Sequence, residues 1–160
     1  MPTAPDIETL YAYESEILPG WVSILTSRGL NAFIEFSDQT KDTPFVDVFL
    51  DHVVPLGQQH FHTDGRLYWN AWEGWLIHRV YSQRGTNSDQ QAPILKAIRL
   101  AAFDFDATLD DTVLPYHDIM FIKESPQGSG LRQGVDHTLN LDWSELPLKV
   151  QFGVRGDSWP

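Results

Sequence analysis

Apolar residues recur at two different spacings along the chain, and the changes of spacing divide it into elements. Between Asp6 and Leu18, the residues Ile7, Leu10, Tyr11, Ile17 and Leu18 return at helical intervals, with Glu8, Glu14 and Glu16 on the other side. Asp6, following Pro5, is suited to cap the helix start. Pro19-Gly20 punctuates the pattern, and Trp21, Val22, Ile24 and Leu25 resume it for a turn or two. Gly29 is placed to terminate it as the left-handed residue after the helix. The reading is an amphipathic helix with a kink.

The period then drops to two. Asn31 to Ser37 and Phe45 to Asp51 read as strands separated by a polar turn. His52 to Arg66 is less regular, with Gly57, Gly65 and three histidines, and reads as a long loop or an extended hairpin arm. Leu67 to Gln83 is the longest alternating run. Leu67, Trp69, Ala71, Glu73, Trp75, Ile77, Arg79 and Tyr81 share one face, and Tyr68, Trp72, Leu76, His78 and Val80 share the other. Gly74 marks a candidate bulge. Helical spacing returns from Ala92 to about Phe105, through Ile94, Leu95, Ile98, Ala101, Ala102 and Phe105. Tyr116 to Lys123 is a strand, Ser125 to Gly134 a glycine-rich loop, and Leu139 to Trp143 and Leu148 to Arg155 two closing strand pieces.

Helix, strands, helix, strands is the order of an α+β fold: a largely antiparallel sheet with helices packed on one face. At 160 residues the chain suits a single domain spanning 1–160, with 52–66 and 124–136 as long loops or arms. No apolar run is long enough to cross a membrane as a helix, and the acidic N-terminal stretch is unlike a secretory signal. Cysteine is absent, which removes disulfides, thiolate metal sites and thiol nucleophiles together. The formal net charge of −11 argues against tight duplex binding, which needs clustered lysine and arginine. Such acidity suits a surface along which a polyanion slides without sticking.

Two strings invite a catalytic reading. Phe103-Asp-Phe-Asp-Ala-Thr-Leu109 resembles the first motif of haloacid dehalogenase-like phosphatases. By that resemblance Asp104 would be the nucleophile and Asp106 the acid/base of a small metal-dependent hydrolase. The motif should follow an apolar strand of a parallel core, yet the residues before it have helical spacing and too little chain follows for further strand–helix units. The second string, His60-Phe61-His62, places two imidazoles on one side of a strand, a workable metal geometry, but no further ligand motif accompanies it. The expectation is therefore no catalytic residue, no metal and no cofactor.

The tryptophans shift the weight toward assembly. Trp69 and Trp75 fall on one face of the long strand and Trp72 on the other, so both faces carry bulky apolar groups. One face can pack on the helices, and the other needs cover from more chain or another subunit. Ser158-Trp159-Pro160 adds a further aromatic suited to docking.

The whole layout resembles the tail-terminator and neck proteins of long-tailed bacteriophages. The resemblance rests on the N-terminal helix, the Trp-rich strand entering the turn Val80-Tyr-Ser-Gln-Arg84-Gly, the helix bearing Arg99, and the closing Leu148-Lys-Val-Gln-Phe-Gly-Val-Arg155 with its Asp157-Ser-Trp159-Pro160 tail. It implies a structural virion protein, assembled in the host cytoplasm, whose copies form a hexameric ring that caps the tail tube and joins it to the head connector or a stopper protein. DNA would pass through the ring without specific binding. Stopper and other tail-completion roles share the same pattern. On this reading Trp69, Trp72, Trp75, Arg84, Arg155 and Trp159 are interface candidates, and Asp104, Asp106, Asp110 and Asp111 are candidate acids of the lumen.

Overall fold

The computed structural model describes residues 13–35, 41–57, 60–61, 67–107, 117–124 and 131–155. In chain order the elements are helix α1 (Tyr13–Ser27), strands β1 (Ala32–Ile34), β2 (Phe45–Gly57), β3 (His60–Phe61) and β4 (Leu67–Gln83), a short π-helical turn (Asn87–Gln91), helix α2 (Ala92–Ala107), and strands β5 (His117–Lys123), β6 (Arg132–Asp136) and β7 (Leu141–Arg155). They form one α+β unit. The sheet runs β1-β2-β4-β7-β5, with β3 paired to β4 and β6 paired to β7. All pairings are antiparallel except β1 with β2.

Alternation along β4 decides which side the helices take. Trp72, Leu76 and Val80 join Leu146, Leu148, Val150 and Phe152 of β7, Val46 and Val48 of β2, and Ile119 and Ile122 of β5. Against them pack Ile17, Leu18, Trp21 and Leu25 of α1 and Leu95, Ile98, Ala101, Ala102 and Phe105 of α2. Both helices therefore lie on one face of the sheet, as the pattern predicts.

α1 runs without a break through Pro19, where the sequence suggests an interruption. Pro19 is exposed, so its missing N–H costs little, and buried residues on both sides of it hold the two halves to the same sheet. The helix stops as expected at Gly29, whose φ is +86°. Leu30 N–H donates to Leu25 C=O at 3.1 Å and Gly29 N–H to Thr26 C=O at 3.0 Å, a Schellman closure. Residues Asp6 to Ala12, assigned to this helix from sequence, lie outside the described residues.

One polar pair sits inside this core. His78 is fully buried, and its Nε2 accepts a 2.7 Å hydrogen bond from Trp21 Nε1–H. Its Nδ1, 3.1 Å from Leu146 C=O, is then the protonated nitrogen and donates to it. Burial pushes the imidazole down to about 4 from its ordinary 6.5, so it is neutral near pH 7. A second polar cluster pins the π-helical turn to the sheet. Gln91 donates to Ser82 Oγ at 2.8 Å and to Asp142 C=O at 3.1 Å, and it accepts from Ser144 Oγ.

Three segments depart from the alternation rule. β2 continues past Asp51 to Gly57, so the first part of the 52–66 segment is the hairpin arm rather than a loop. The bulge foreseen at Gly74 lies on the partner strand. Asp51 faces Trp75 and Val54 faces Glu73, leaving His52 and Val53 opposite the single residue Gly74. A Cβ at Gly74 would stand 3.0 Å from Val53 Cγ2 and 3.2 Å from Asp51 C=O, so glycine lets the bulge close. His52 takes the left-handed conformation, φ +50°. The two closing strand pieces are one strand, β7, which passes through Pro147. Along one edge of β7, β6 pairs as far as Glu145 and β5 begins at Lys149, so the proline falls in the interval between them. β6 itself lies within the segment 124–136 read as a loop or arm.

Candidate functional site

The face of the sheet turned away from the helices carries long cross-strand rows of aromatic and charged residues. No described helix or strand packs over it. Residues directly opposite across neighbouring strands share a face, so the register spells out the rows. Phe45, Tyr81, Trp143 and Gly134 align on β2, β4, β7 and β6. One step along, two residues on, Asp47, Arg79, Glu145 and Arg132 align on the same strands, alternating acid and base. Further on come Phe49, Ile77 and Pro147, then Asp51, Trp75, Lys149 and Lys123.

Long cations lie flat between the rings. Arg79 Nε and Nη2 both donate to Glu145 Oε2, at 3.0 and 2.8 Å. Its guanidinium carbon lies 5.5 Å from the Phe49 ring centroid and 5.4 Å from that of Trp143. Glu35 reaches the same arginine at 3.8 Å. Burial raises the Glu35 carboxyl above its ordinary value, an effect that Arg79 opposes and Asp47 and Glu145 reinforce. Lys149 bonds Glu73 at 2.8 Å and sits 5.9 Å over Trp75. Lys41 bonds Asp47 at 2.6 Å and stands 5.4 Å from both Phe33 and Phe45. Phe45 stacks on Tyr81 with centroids 4.8 Å apart. Trp143 lies across Gly134, where a Cβ would come within 2.5 Å of the indole. The apolar bodies of this face are thus covered laterally by aliphatic stems and stacked cations, while Trp75, Phe49 and Trp143 stay half-buried.

An Arg79→Leu variant tests this lattice. It is expected to lose roughly 1–3 kcal/mol, because Glu145 and Glu35 are left half-buried without their cation. The gap between variant and parent, followed by urea unfolding at matched pH, should narrow as pH falls and the Glu35 carboxyl, raised by burial, takes up a proton. A gap independent of pH would show that Arg79 acts through packing alone.

The residues singled out from sequence divide. Trp75 belongs to the face turned away from the helices. Trp72 does not, because it is buried against the helices and stacks on Phe152 at 5.8 Å, so the chain's own core takes it up. Arg84 pairs with Asp142 at 3.0 Å and with Asn140, fastening the turn after β4 to β7. Asp104 is exposed and bonds Arg28 at 2.7 Å, tying the ends of α1 and α2. The side chains of Trp69, His60, Asp106 and Arg155, and the residues His62, Asp110, Asp111 and Trp159, lie outside the described residues. The Asp104-Phe-Asp106 string sits in the last turns of α2 and not at the end of a strand, so the phosphatase arrangement it resembles is not built here. Among the described residues, no group of three His, Asp or Glu side chains could hold a metal ion. Arg79, Glu145, Trp143 and Lys149 were not marked from sequence as a site. Their signal was present only as odd-numbered positions on two separate strands, and their adjacency depends on register.

No family model and no curated protein matches the chain. Among solved structures, the fold is similar to a chain from the virion of a native gene transfer agent (GTA) particle. That likeness has a TM-score of 0.51 at 12% identity and covers 91% of this chain and 99% of the other. This chain therefore shares, over nearly its whole length, the fold of a chain found in a virion particle.

Proposed function

We propose that this protein is a structural component of a phage-like virion. Within that role, its copies form a ring, a hexamer, that caps the tail tube and joins it to the head connector. The observation that carries the reading is the near full-length fold likeness to a chain of the gene transfer agent virion. The resemblance of the sequence to tail-terminator and neck proteins supports it independently. So does a sheet face of aromatic and paired charged groups over which no described helix or strand packs, the composition of an interface rather than of a catalytic cleft. A ring built from a chain of net charge −11 repels the phosphate backbone of DNA passing through it. We place Asp104, Asp106, Asp110 and Asp111 on the lumen side, and the tube protein and connector or stopper protein on the two ring ends.

The test pairs mass measurement with a gene deletion. Native mass spectrometry of the purified protein should give one closed oligomer. Particles lacking the protein should show tails of uncontrolled length or heads without tails. A strictly monomeric protein that is absent from purified particles overturns the proposal.

A further inference from the structure

The two edges of the sheet are complementary to each other. At one edge, β2 has no described strand on its outer side beyond Val48. There Val54 and Leu56 are 52% and 40% exposed, with Asp51 one residue before the bulge. At the opposite edge, β5 and α2 enclose a groove of about 210 Å³ lined by Arg99, Ala102, Phe103, Ile122, Lys123 and Leu148, with the Arg99–Glu124 ion pair at its rim. Phe103 is 72% exposed, and Leu100, one turn before it, is 47% exposed.

Register puts knob and groove at the same height, the knob on the face turned from the helices and the groove on the helix face. Val54 aligns through Glu73 and Gln151 with Phe121, one residue before the groove's Ile122. The row beside it begins with Asp51 on β2 and ends with Lys123 on β5, an acid at one edge and a base at the other. A surface that carries a knob on one side and its socket on the other makes head-to-tail contacts, and these close into a ring when the rotation between copies allows.

We infer that the β2 edge of one copy docks on the α2/β5 edge of the next, with Val54 and Leu56 entering the groove beside Phe103 and Asp51 pairing with Lys123. This rests on the ring reading above and names its subunit contact. The occupant is a second copy because knob and socket, and acid and base, sit on opposite edges of the same chain. Pro55 and the bulge at His52–Val53 disfavour ladder pairing between the edges, so side chains carry the contact.

The chain has no cysteine, so introduced thiols are unique. Under mild oxidation, a Val54→Cys, Phe103→Cys double variant should give a covalent ladder ending at the native oligomer mass, and each single variant should give none. An Asp51→Lys variant should weaken association about tenfold or more, and adding Lys123→Asp should restore it to within about threefold. Circular dichroism of each variant checks folding. If the parent oligomerises but the ladder is absent, or Val54→Cys alone forms dimers, the inference is overturned and the ring reading stands. A monomeric parent overturns the inference, and one that is also absent from purified particles overturns the ring reading.

Discussion

Replacing Trp21 with alanine is expected to cost about 3–5 kcal/mol, the largest loss of any single substitution in the described core. Trp21 is fully buried in α1 and touches both other layers of the packing: the His78 ring at 6.0 Å and the Phe105 ring at 6.2 Å, each edge to face. Its removal leaves a cavity and also strips His78 Nε2 of its donor, so an unsatisfied acceptor is added to the packing loss. Trp21→Phe separates the two contributions. It keeps most of the volume and loses the hydrogen bond, and it should cost roughly 1–3 kcal/mol. Urea unfolding monitored by circular dichroism measures both. Equal losses for the two variants would mean that volume contributes nothing, contrary to the packing described.

The second large effect is acid sensitivity. In the unfolded chain His78 takes up a proton near its ordinary 6.5, whereas in the folded chain it resists protonation down to about 4. Between these values the unfolded state binds more protons, so stability falls as the pH falls. The contribution is complete above about pH 6.5, declines by up to ~1.4 kcal/mol per pH unit below it, and amounts to roughly 3 kcal/mol by pH 4. A His78→Gln variant can still accept from Trp21 and donate to Leu146 C=O, and it cannot titrate. Its stability profile between pH 7 and 4 should be flatter than the parent's by that amount. Parallel profiles would assign the acid loss to other groups.

Legibility from sequence followed the physics of each element. β4 was readable to the residue because its run carries no proline and its side chains alternate between a packed face and an aromatic, charged one. α2 was readable because its apolar stripe is unbroken. The outer half of β2 was hidden by Pro55, by Gly57 and by the bulge, which shifts the parity of every later residue. β6, Arg-Gln-Gly-Val-Asp, has no apolar alternation, since its face is filled by Trp143 from the neighbouring strand. Pro147 divided β7 on paper, while the fold places it where the partner strands change. For the candidate site, a two-faced Trp strand was visible, but the sorting of Trp72 inward and Trp75 outward needed the positions of the helices. The rows of paired charge needed the register of four strands, which no local pattern encodes.

The sheet order has a consequence for how the protein is made. β7 sits between β4 and β5, yet it is the last described strand to leave the ribosome. Until it emerges, the β2–β4 hairpin presents a 17-residue edge and the helices have only half a floor to settle on. Closure of the sheet is therefore expected to wait for β7, at the slow pace of long-range strand pairing. In that interval the nascent chain is a natural client for holding chaperones.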